Sequence, residues 1–131
     1  MSPVAGRATG TVAAALLWAV GVAVLLLLPG GTLPSPPSWL PQALSEWGDG
    51  AVHGVLFFVQ AWLVIPRTRI DAPAHRRVVI VSICLGYATL LEVAQIPVAG
   101  RSFQVLDIIF AALGVTCALA LAARSKRTDP S

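Results

Sequence analysis

The chain has 131 residues, 56% of them apolar and only 11% charged, with a formal charge of +3. Soluble domains carry roughly 25% charged residues, so there is too little charge here to surround a water-exposed core. The small positive charge, without interleaved Lys/Arg and aromatics, excludes a nucleic-acid surface, and the length suits one domain, 1–131.

Four segments, about 11–28, 49–65, 78–96 and 104–123, are apolar runs near the ~20 residues that cross a ~30 Å hydrocarbon layer. They are too long and too continuously apolar for barrel strands, and only helices or closed barrels satisfy the backbone in lipid. The fold expected is an all-α membrane protein, a four-transmembrane-helix bundle.

The first span follows Arg7 and resembles a signal peptide, but it runs for 18 residues into "LLLLPGG" without an A-x-A-like site, which favours a retained helix. The stretch "PGGTLPSPPSWLPQALSEWGDG" follows, with five prolines and four glycines. It predicts a loop with at most a helical turn near 42–47. Trp39 and Trp47 suit a membrane interface, as an anchor or as a lid. The second span enters at Asp49 and carries His53 and Gln60. The turn "PRTRIDAPAHRR" is basic and mainly sets topology, with His75 as a solvated loop residue. The third span ends in Glu92 and Gln95, and a short hop containing Arg101 leads to the fourth, which opens at Asp107.

Eight of the nine basic residues lie before the first span, between the second and third, or after the fourth; only Arg101 does not. By the positive-inside rule both termini are cytoplasmic, and 29–48 and 97–103 face outward. The expected location is the cell membrane, multi-pass. Cys84 and Cys117 fall inside spans as small hydrophobes. They lie on different helices and give no metal spacing, and one span histidine with scattered carboxylates adds none. No metal and no cofactor is expected.

The polar residues share a depth. Asp49 and His53 are four apart and share a helix face. Glu92 lies fourteen residues past Val78, roughly 21 Å along a helix in a ~30 Å core, and Gln95 follows one turn on. Asp107 is about a turn inside the fourth span. Asp49, His53, Glu92, Gln95, Arg101 and Asp107 therefore form one layer in the outer leaflet, where intramembrane ionisable groups mark function, around a shallow polar pocket. In the fourth span Asp107, Ala111, Gly114, Ala118 and Ala122 make a stripe of mostly small residues suited to close helix contact. Structural alternatives remain for each residue: Asp49 as a helix N-cap, His53 as an interhelical hydrogen bonder, Glu92 as a partner of Arg101.

The motifs "DGAVH" (49–53) leading into Phe57 and Phe58, "EVAQ" (92–95), Arg101, and "DIIFAALG" (107–114), in that order, resemble the VanZ-like family. Its members share D-x-x-x-H, E-x-x-Q, an Arg and D-x-x-x-N-x-x-G on successive helices, and its namesake is linked to teicoplanin resistance. The resemblance covers about 49–114; Ala111 stands where the family has Asn. It implies an accessory protein of the cell envelope.

Three functions fit the residues. The first is binding or modifying an amphiphile at the outer leaflet: a membrane lipid, a lipid-linked envelope precursor or a lipoglycopeptide. Arg101 would grip a phosphate or carboxylate, and His53 with Asp49, Glu92 or Asp107 would move a proton. The second is proton-coupled transport, which needs polar groups through the inner half, where the spans offer Gln60, Ser82 and Thr116. The third is a purely structural polar layer that locks the bundle.

Overall fold

The computed structural model describes residues 3–32, 37–39, 41–65 and 74–125. Arg67, Arg69, Lys126 and Arg127, which carry much of the charge asymmetry, lie outside the described residues. Among the described residues there are four helices, α1 (Pro3–Leu27), α2 (Gln42–Val64), α3 (Ala74–Gln95) and α4 (Val105–Ser125), and a 3-10 turn at Gly30–Thr32 after α1. Three stretches among the described residues are long and apolar enough to cross a membrane: Gly10–Leu27, His75–Gln95 and Val105–Ser125. At 23 residues, α2 is roughly 34 Å long, but Asp49, His53 and Gln60 dilute its apolar run.

Helix boundaries differ from the apolar runs where polar residues continue a helix. Behind the extended Pro41 (φ −55, ψ 138), α2 starts at Gln42 rather than at Asp49, so Asp49 is a residue of the helix interior and not its N-cap. Nothing in "QALSEWG" breaks a helix, and proline is well tolerated just ahead of the first turn. The other end stops at Ile65 (φ −67, ψ 113), because Pro66 drives the residue before it into extended backbone. His75 lies in the first turn of α3 and is exposed, not in a preceding loop.

The expected small-residue stripe is the seam between α4 and α2, the most extensive helix contact of the bundle. Asp107, Ala111, Gly114, Ala118 and Ala122 are all buried along it. A Cβ on Gly114 would run into the carbonyl oxygen of Gly54 and the amide nitrogen of Phe58, so glycine sets how closely the two backbones approach. Phe57 is fully buried beside the seam, its ring 6.0 Å from that of Tyr87 on α3.

The surface is inverted relative to a water-soluble protein. Leu16, Leu17, Val55, Ile83, Leu90 and Leu113 are each more than half exposed, while His53, Gln60, Glu92, Gln95 and Asp107 are buried. Apolar side chains displayed on every helix, with polar ones enclosed, match lipid as the surrounding solvent.

α1 is joined to the bundle by side chains that reach its neighbours' backbone or its own. The Trp18 indole donates to the Leu56 carbonyl (3.1 Å), and the Tyr87 hydroxyl donates to the Ala19 carbonyl (2.6 Å). Cys84 is buried and Cys117 exposed, both as free thiols.

Candidate functional site

Three of the polar residues meet. His53 lies on α2, Glu92 near the end of α3 and Asp107 in the first turn of α4, and the α2–α4 seam and the short α3–α4 turn bring them to one level. One ligand atom from each lies within 4.8 Å of the other two. His53 Nε2 stands 3.2 Å from Glu92 Oε1, and His53 Nδ1 stands 3.6 Å from Asp107 Oδ2. All three side chains are at least nine-tenths buried: His53 is 5% exposed, Glu92 1% and Asp107 4%.

Backbone groups hold two of the three in place. His53 Nδ1 lies 3.0 Å from the carbonyl oxygen of Asp49, one turn back on α2. Donation of the Nδ1 proton to that carbonyl leaves Nε2 as a lone pair. The amide of Gln104, just ahead of α4, donates to Glu92 Oε2 (3.1 Å), using one of the N–H groups that a helix start leaves unpaired. The remaining atoms of the cluster are unanswered: His53 Nε2, Glu92 Oε1 and Asp107 Oδ1 are buried with no hydrogen-bond partner among the described residues.

The other expected site residues have different surroundings. The side chain of Asp49 is exposed, and only its carbonyl meets His53. Gln95 Nε2 donates to the Leu26 carbonyl at the end of α1 (2.9 Å). Arg101 Nε donates to the Leu28 carbonyl just beyond (3.3 Å), and not to Glu92 or Asp107. The Gly30 amide adds a bond to the Ala99 carbonyl (3.0 Å). The α3–α4 turn, with Gly100 at a positive φ of 75° that glycine accommodates without strain, thus caps the C-terminal end of α1.

The expected pocket is also displaced. The triad is closed over by its neighbours, and the concave surface nearby is an open groove of about 370 Å³ lined by Ser102, Gln104, Val105, Leu106 and Ile109. Gln104 is shared, its backbone facing Glu92. Of the inner polar residues, Gln60 is buried with Oε1 unpartnered among the described residues. Ser82 is exposed, and Thr116 is exposed with its hydroxyl donating to the Ala112 carbonyl (2.8 Å). They do not line a polar path through the bundle.

Two contributors carried no sequence signal: the Asp49 carbonyl and the Gln104 amide, both backbone groups. No protein-family model, curated protein or solved structure matches this chain.

Proposed function

We propose that the chain is a VanZ-like protein of the cell membrane that binds or acts on an amphiphile at the outer leaflet. In this reading α2 is a fourth span and both termini are cytoplasmic. The amphiphile is a cell-envelope lipid, a lipid-linked precursor or a lipoglycopeptide such as teicoplanin. The observation that carries the proposal is the buried triad His53, Glu92 and Asp107, each with a buried side-chain atom that has no hydrogen-bond partner among the described residues, inside a bundle that is apolar on its outside. A layer kept only to lock helices together gains from full pairing, because each unpaired buried polar group costs about 1–3 kcal/mol.

The groove beside Gln104 fits an amphiphile in character. Val105, Leu106 and Ile109 offer an apolar wall, and Ser102 and Gln104 a polar edge. Arg101, half-buried at the same end, keeps its terminal guanidinium nitrogens available for an anionic headgroup while Nε holds the α1 cap.

The test compares cells with and without the gene for lipid composition and teicoplanin susceptibility, with complementation by the parent and by Glu92→Gln. The expected result is a change that the parent reverses and Glu92→Gln does not. Full complementation by Glu92→Gln favours the structural-lock reading, as would a layer that stabilises the bundle without changing either phenotype.

A further inference from the structure

The geometry points to a divalent transition-metal site formed by His53 Nε2, Glu92 Oε1 and a carboxylate oxygen of Asp107, suited to Zn²⁺ or Mn²⁺. This inference stands apart from the amphiphile reading, since it concerns what the triad binds whether or not a lipid is the substrate. Sequence spacing concealed the set because its members lie on three different helices.

Four observations combine. First, the donor types fit: an imidazole nitrogen with two carboxylate oxygens suits zinc, and carboxylates also suit manganese. Second, the separation fits. Two ligands each about 2.0–2.1 Å from a tetrahedral Zn²⁺ stand roughly 3.3 Å apart, and His53 Nε2 and Glu92 Oε1 stand 3.2 Å apart. Asp107 is the member that must move: its Oδ2 stands 3.6 Å from the other ring nitrogen, Nδ1, and with the set spanning up to 4.8 Å it has to close in by up to about 1.5 Å, within the reach of a χ rotation between staggered rotamers.

Third, the atoms that would face the ion are the ones left without partners. His53 Nε2 and Glu92 Oε1 approach to ion-pair distance, yet among the described residues neither makes a hydrogen bond, and Asp107 Oδ1 has none either. A cation to one side of the Nε2–Oε1 line satisfies both lone pairs and the third oxygen together.

Fourth, the orienting contacts are those that metal ligands use. The other ring nitrogen of His53 points at a backbone carbonyl, and the other oxygen of Glu92 accepts a backbone N–H. Such partners fix the tautomer and the direction of the ligand. Two carboxylates of formal charge −1 enclosed in an apolar bundle gain strongly from a dication.

The test is metal analysis of the full chain in detergent, by elemental mass spectrometry, after purification without chelator and again after chelation and reloading with ZnCl₂ or MnCl₂. The parent is expected to hold about one equivalent per chain, and its thermal midpoint to rise with the ion, as ligand linkage requires. Glu92→Gln and Asp107→Asn should lose more than the roughly 10–100-fold in affinity that removal of an outer-shell partner costs.

A parent that binds neither ion in titration overturns the site. So do folded variants that bind as the parent does. Should the variants fail to fold, X-ray absorption of the zinc-loaded parent decides. A shell of one imidazole nitrogen with oxygens supports the site, and a sulfur shell from the cysteines overturns it.

Discussion

Two polar clusters sit at the same end of the bundle and differ in one respect. At the α1 cap, Gln95, Arg101 and the Gly30 amide each donate to a backbone carbonyl. In the triad, Nε2 of His53, Oε1 of Glu92 and Oδ1 of Asp107 have no hydrogen-bond partner among the described residues, although Nε2 and Oε1 stand 3.2 Å apart. Both clusters place polar groups in an apolar surround, where an unpaired donor or acceptor is costly. The cap lowers that cost by pairing side chains with helix-end carbonyls, which is structural work. The triad retains the cost, and unpaired buried polarity held in place by neighbouring backbone is the mark of a site that receives something.

The comparison can be broken first at the seam. Gly114→Leu drives a side chain into the Gly54 backbone, which cannot move aside as a side chain would, so α2 separates from α4 and His53 from Asp107. The expected cost is at the upper end of overpacking or beyond, about 3 kcal/mol or more, read as loss of a monodisperse, heat-resistant species in detergent. Gly114→Ala should give a smaller loss in the same direction.

Next comes the cap. Gln95→Leu leaves the Leu26 carbonyl without its side-chain partner, at a cost of about 1–3 kcal/mol, and should loosen α1 while the triad keeps its geometry. Hydrogen exchange across α1 would rise, whereas α4 around Asp107 would stay protected. Arg101→Lys is milder. Lysine lacks the Nε–H that reaches Leu28, and the half-buried bond is worth about 0.5–1.5 kcal/mol, visible as a small fall in thermal midpoint. If Arg101→Lys abolishes a cellular phenotype without that fall exceeding the range, the guanidinium has an anion-binding role in addition to the cap.

The sequence carried the helices well and the partners poorly. Apolar length predicted four helices, and the spacing of Ala111, Gly114, Ala118 and Ala122 predicted the seam, because both are local or periodic properties. α1 and α2 begin earlier than their apolar runs, at Pro3 and Gln42, since Pro3–Gly10 and Gln42–Gly48 lack a continuous apolar signal although nothing in them stops a helix. Matched depth placed His53, Glu92 and Asp107 on one level, which the structure brings together. The same depth argument included Asp49, Gln95 and Arg101. It could not distinguish them, because facing direction depends on how neighbouring helices rotate. Gln95 and Arg101 find their carbonyls 69 and 73 residues away in sequence, a relation that no spacing within a motif encodes.

The central claim is that the triad serves binding rather than bundle stability, and the unfolding midpoint of Glu92→Gln against the parent, both with metal chelated, tests it most directly. The amide oxygen of a glutamine can still accept the Gln104 N–H, and its NH₂ can donate to His53 Nε2, so two unsatisfied atoms become one bonded pair. The variant is therefore expected to melt at or above the parent, by up to about 0.5–1.5 kcal/mol. A midpoint lowered as far as that of Gln95→Leu would contradict the claim and make the triad a structural lock.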